Sequence, residues 1–121
     1  MNNLFGPLES IIHKFTSSVE NVKELTGGLH ANFVQGKPFY PHVVYNFVTG
    51  QVTTAFLGSS PSDAEISMIV KGKDYRDTIR LTDLILKQLY RDEVIRAYTL
   101  NPHTFQSDDK VYMIALQVML R

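Results

Sequence analysis

The sequence predicts an α+β domain: a two-layer sandwich whose mixed, largely antiparallel sheet of about five strands carries two helices on one face, in the order α-β-β-β-α-β-β. Three observations lead there. Two stretches place apolar residues at three- and four-residue spacing, as amphipathic helices do. Between and after them lie runs of β-branched and aromatic residues that alternate with period two. The 121 residues, 44% hydrophobic and 20% charged, suffice for one core and one domain, residues 1–121, burying roughly 65% of the unfolded surface.

The first helix is predicted to begin at Pro7, where a missing N–H costs nothing. From it Leu8, Ile11, Ile12, Phe15, Val19, Val22 and Leu25 form one stripe, which Thr26-Gly27-Gly28 closes with left-handed backbone. Residues 29–40, broken by Gly36 and Pro38 and followed by Pro41, read as an irregular approach. Strands follow at 42–48, at 52–57 after a tight turn through Thr49-Gly50-Gln51, and at 64–71 after the loop 58–63. The period changes after Gly72. Tyr75, Ile79, Thr82, Leu86 and Leu89, widened by Leu81, Ile85 and Tyr90, predict a second helix to about Arg91 with Asp74 as its N-cap and an Asp83–Lys87 pair. Residues 94–100 and 110–120 are the last strands, with Asn101-Pro102-His103 as a turn.

The last strand is apolar on both sides. Tyr112, Ile114, Leu116, Val118 and Leu120 make one face, and Val111, Met113, Ala115 and Met119 the other, interrupted by Gln117. Two helices cover one face of such a sheet. The second face is covered either by residues 29–40 or by another subunit.

Composition excludes several function classes. Lys and Arg (12) cancel Asp and Glu (12), which argues against a module that binds by neutralising phosphates, and from Lys71 to Arg96 charges of both signs are interleaved. There is no cysteine, hence no disulfide, thiolate metal site or cysteine nucleophile. No apolar run approaches the ~18 residues of a membrane span, and the start, Met1 to Pro7, lacks the pattern of a signal peptide. A soluble intracellular chain with no membrane association is expected.

Catalytic and metal patterns are equally thin. His13, His30, His42 and His103 stand at no metal-binding spacing, and the acidic neighbours Asp92-Glu93 and Asp108-Asp109 read as solvated element ends. Gly36-Lys37 and Gly72-Lys73 lack the remaining residues of a phosphate loop, and Ser59 and Ser60 lack the glycines of a nucleophile elbow. The expectation is a non-enzyme with no catalytic residue, metal or cofactor.

Tyr40-Pro41-His42-Val43-Val44-Tyr45, the strand Asp63-Ala64-Glu65-Ile66-Ser67-Met68-Ile69-Val70 and the helix from Tyr75 to Leu89 together resemble the tail terminator, or tail completion, proteins of long-tailed bacteriophages. In that family a Pro-x-Val-x-Tyr strand opens the sheet. A later helix carries a pattern matched by Tyr75, Leu81, Asp83 and Leu89, and the N-terminal helix and chain length are similar too. The resemblance implies a structural virion protein, a minor tail protein assembled in the host cytoplasm. It would form a homo-oligomeric ring, usually a hexamer, that ends the tail tube at its head-proximal end and provides the head-tail joining surface. Its implied partners are the tail tube protein and a head-completion or neck protein, with DNA passing through the ring and no sequence-specific nucleic-acid contact. Ser59, Ser60, Pro61, Ser62 and Asp63, with Thr104, Phe105, Gln106 and Asp108, lie on polar connections that carry contacts to neighbours or are plain hairpin tips. A neck or stopper-type connector, and a small-ligand binding module, are the alternative readings.

Overall fold

The computed structural model describes residues 6–49, 65–101, 104, 107–108 and 110–121. Helix α1 spans Gly6–Glu20, shorter than the apolar stripe, which runs on to Leu25. After Glu20 the chain descends by three-residue steps: Asn21 N–H donates to Ser18 O, Val22 to Val19 O and Leu25 to Val22 O. Turns of that span keep a three-residue period, so Val22 and Leu25 stay on the side of Phe15 and Val19 and are buried with them.

Strands β1 (Leu29–Ala31), β2 (His42–Thr49) and β3 (Glu65–Gly72) lead to helix α2 (Tyr75–Arg91), and β4 (Ile95–Leu100), β5 (Ser107–Asp108) and β6 (Val111–Leu120) follow. The sheet runs β1-β2-β3-β6-β4, with the two-residue β5 also paired to β6. Among the described strands only β1 and β2 pair in parallel. The architecture is thus the α+β sandwich expected, with a mixed, largely antiparallel sheet and both helices on one face.

Residues 29–40 are not wholly irregular, because Leu29–Ala31 forms the parallel edge strand. Three residues are too few to show alternation, and a parallel partner announces itself by no hairpin turn. The expected strand 52–57, the turn residues Gly50 and Gln51 and the loop 58–63 lie outside the described residues, as do Pro102 and His103 of the later turn.

The register explains the core. Val43, Val70 and Ile114 form one row across β2, β3 and β6; Tyr45, Met68 and Leu116 form the next, and Phe47, Ile66 and Val118 the third. Every β3 and β6 member of these rows is buried. Phe15 of α1 lies on them with its ring centroid 5.3 Å from that of Tyr45. Burying each such side chain stabilises the fold by about 1.5–3 kcal/mol.

Helix α2 starts as predicted, with Asp74 Oδ2 accepting the Asp77 N–H at 3.0 Å, and Lys87 pairs with Asp83 at 2.8 Å. Its buried side is rotated from the one predicted. Thr78, Leu81, Thr82, Ile85 and Leu89 face the core, whereas Tyr75, Ile79 and Tyr90 are exposed. Thr78 and Thr82 can be buried because their hydroxyls donate to Asp74 O and Thr78 O, so no polar atom is left unpaired on the core side. The helix ends in a Schellman arrangement: Glu93 N–H donates to Tyr90 O and Val94 N–H to Leu89 O, with Glu93 at φ 57° and Val94 buried.

Candidate interaction surface

The sheet face turned away from the helices follows from the same register. His42, Lys71 and Met113 share a row, as do Val44, Ile69 and Ala115, then Asn46, Ser67 and Gln117, and finally Glu65 and Met119 with Ala97 of β4. Val44, Ile69, Met113, Ala115 and Met119 make this second face apolar through its middle, and each is half-buried. Residues 32–40 cover part of it. Asn32, Phe33, Pro38 and Tyr40 wall a cavity of about 300 Å³ whose floor includes His42, Val44, Ile69 and Lys71. Met113, Ala115 and Met119 do not line it.

The loop is anchored at Gly27. Its N–H donates to Pro41 O at 2.7 Å, and a Cβ there would collide with the carbonyl oxygen of Phe39. Gly28, at φ 85°, supplies the left-handed backbone expected after α1 and passes its carbonyl to the Val43 N–H at 3.0 Å. His42 then turns inward. Its Nδ1 is 2.9 Å from Phe39 O, and since a carbonyl only accepts, Nδ1 carries the proton.

Around this ring stand groups from three further parts of the chain. His30 of β1 meets it edge-on at 5.8 Å, Tyr40 lies 4.9 Å away, and Lys71 sits opposite on β3. Lys73 rests its ammonium 5.0 Å from the Tyr40 ring centroid. Burial, above all, holds the His42 imidazole below its ordinary value of 6.5; the Phe39 carbonyl acts the other way, and Lys71 and His30 add to the depression. Among the described residues no carboxylate lines the cavity. Sequence spacing missed this cluster because His30 and His42 meet only through the parallel β1–β2 pairing.

The residues singled out on the connections fare differently. Ser59, Ser60, Pro61, Ser62, Asp63, Phe105 and Gln106 lie outside the described residues. Thr104 is half-buried and its hydroxyl donates to Ala115 O at 2.8 Å, tying the connection to β6. Asp108 belongs to β5, where its backbone pairs with Val111; its side chain is outside the described set.

Of the acidic neighbours, Asp92 is structural: Oδ2 accepts from Ser18 Oγ at 2.7 Å and from Gln88 Nε2 at 2.9 Å. Among the described residues no group of three or more His, Cys, Asp or Glu comes together, and no helix is long and apolar enough to cross a membrane.

A second cavity, about 320 Å³, lies between the turn after α1 and helix α2, with Pro41, Leu81 and Leu84 as its apolar walls and Glu24, Asp77 and Arg80 beside them. Its charges are of both signs. No protein-family model matches the chain, and no curated protein matches it.

Proposed function

We propose that this chain is a structural virion protein of a long-tailed bacteriophage, a tail terminator or tail completion subunit that closes into a ring on the tail tube. The observation that carries the reading is the second sheet face. Residues 32–40 reach only its β2–β3 half, and Met113, Ala115 and Met119 continue an apolar surface across β6. A face of that kind suits burial against a neighbouring subunit. Ring closure uses two different patches on each subunit, and a chain with no net charge carries little self-repulsion against it. The resemblance at Pro41 to Tyr45 and at Tyr75 to Leu89 supplies the virion context. Function on this reading is binding, not catalysis: the ring ends the tube and presents the joining surface to a head-completion or neck protein.

Electron microscopy of the purified protein, with its mass in solution and a pull-down on purified tail tubes, tests the proposal. Rings that bind tubes are the expected result. A stable monomer that ignores tubes overturns it, and binding to the portal side instead of the tube replaces it with the neck-connector reading.

A further inference from the structure

We infer that the cavity beneath residues 32–40 is a docking site for an acidic peptide segment of a partner protein, with Lys71 and His42 receiving a carboxylate side chain. The inference rests on the reading of this chain as a binding component of an assembly, and it specifies the chemistry of one partner.

Two polar groups in the cavity lack a counterpart among the described residues. Lys71 is half-buried beside Ile69, between His42 of β2 and Met113 of β6, and no carboxylate pairs with it among the described residues. His42 is only 1% exposed. Its Nδ1–H is committed to Phe39 O, and Nε2 has no hydrogen-bond partner among the described residues. Yet no fully enclosed side-chain nitrogen or oxygen there lacks a partner. Nε2 therefore keeps the little exposure that His42 has, and the surface His42 meets is that of the cavity it lines. A half-buried cation with no carboxylate among the described residues calls for an anion, and Nε2, an acceptor while the ring is neutral, joins in holding it only as the imidazolium.

The surroundings select a peptide carrier. Phe33, 64% exposed, stands with Pro38 and Tyr40 on the wall, an apolar rim suited to the residues flanking an acidic side chain. Lys37 lies in the same loop, and Lys73 rests against Tyr40 where Asp74 and Asp77 also stand, so the cation inside the cavity itself is Lys71. A volume near 300 Å³ admits one side chain and part of a neighbour.

Docking is coupled to a proton. In the free protein the ring is neutral and Nε2 can only accept; a carboxylate placed between Lys71 and His42 favours the imidazolium, whose Nε2–H then donates to it. The proton comes from solvent. The charged and titratable groups facing the ring are His30 from β1, Lys71 from β3, and Tyr40 with Lys73 behind it; Lys71 and His30 add to burial in raising the cost of that proton until the carboxylate arrives.

The experiment uses the full chain with two blocked peptides, acetyl-Gly-Phe-Glu-Gly-amide and its Gln counterpart, followed by amide NMR shifts and calorimetry. The Glu peptide is expected to shift the amides of Val44, Ile69 and Lys71 and to bind about tenfold more tightly than the Gln peptide, as loss of a charge-assisted bond implies. Lys71→Gln should remove that preference while leaving the amide spectrum folded. Binding should tighten as pH falls from 7.5 to 5.5, because docking favours the imidazolium, and lose this slope in His42→Gln. Equal binding of the two peptides, or an undiminished preference in Lys71→Gln, overturns the inference. So does sodium acetate that binds as tightly as the Glu peptide. Mass measured on the same samples separates the failures: rings without peptide binding reject this site alone, and monomers without tube binding reject the assembly.

Discussion

Ser18 on α1 donates its hydroxyl to the carboxylate of Asp92, the C-cap residue of α2, at 2.7 Å. The same oxygen accepts from Gln88, and Lys14 Nζ donates to the neighbouring Glu93 carbonyl at 3.4 Å, so the two helices are tied by polar bonds at their shared end. Hydrogen bonds from Gln88 and then Ser18 lower the Asp92 pKa from its ordinary 3.8. The stability this confers is present above that ordinary value and is lost as pH falls through the lowered one. Ser18→Ala should lower the urea midpoint at pH 7, and the gap between variant and wild type should narrow at pH 2.5. A gap unchanged with pH would show that the carboxylate's ionisation plays no part in the tie.

Gly27 and Gly36 separate close approach from backbone strain. A Cβ on Gly27 would strike the Phe39 carbonyl oxygen, part of a backbone held by its own bonds, whereas at Gly36, with φ 76°, nothing lies within 4 Å. Gly27→Ala should therefore destabilise by about 3 kcal/mol or more. Gly36→Ala should cost only about 1 kcal/mol from its left-handed backbone. Chemical denaturation of the two variants gives the comparison, and similar losses at both positions would contradict the collision.

The rotated face of α2 sets another pair apart. Ile85 is fully buried and Ile79 is 37% exposed, although both fell within the predicted apolar face. Ile85→Ala should cost about 2–5 kcal/mol, the range for an aliphatic side chain removed from a packed core. Ile79→Ala should stay below about 1 kcal/mol, because alanine favours the helix and little packing is lost. Thermal melts of both variants distinguish the faces.

These cases show what the sequence makes legible. The bounds of α2 followed from its cap and period, and β6 from its long apolar run, since such signals are local. The rotation of α2 was less visible: Thr78 counts as polar until its hydroxyl is seen returning to Asp74 O. The strand β1 and the cavity above it were harder still. His30, Tyr40, His42, Lys71 and Lys73 come together through a parallel pairing and an antiparallel one, and no spacing along the chain encodes such a meeting. Gly27 read as a helix stop, while its sharper requirement is space for Phe39 O.

The Schellman end of α2 contains a correctable strain. Glu93 occupies the left-handed C′ position, where glycine is the usual residue, and its bond to Tyr90 O uses only the backbone. Glu93→Gly keeps that bond and also keeps the carbonyl that accepts from Lys14. Relief of the Cβ clash should raise stability by about 1 kcal/mol. A lower midpoint in urea would mean that the Glu93 side chain supports the fold in its own right.

His42 makes the fold sensitive to mild acid by a route separate from Asp92. Its pKa lies below the ordinary 6.5, chiefly through burial, with Lys71 and His30 contributing in the same direction. Between the two values the unfolded chain binds a proton that the folded chain refuses, so the folded state is favoured fully above about pH 6.5 and loses that advantage as pH falls toward the depressed value. The urea midpoint of the free protein should therefore drop between pH 7.5 and 5.5, a range in which Asp92 stays ionised. Lys71→Met removes a cation facing the ring and should make the drop smaller, with His30→Gln acting in the same sense to a lesser degree. If the pH dependence is the same in Lys71→Met as in wild type, the lysine does not sense the imidazole, and the cross-strand pair cannot act as one charge site.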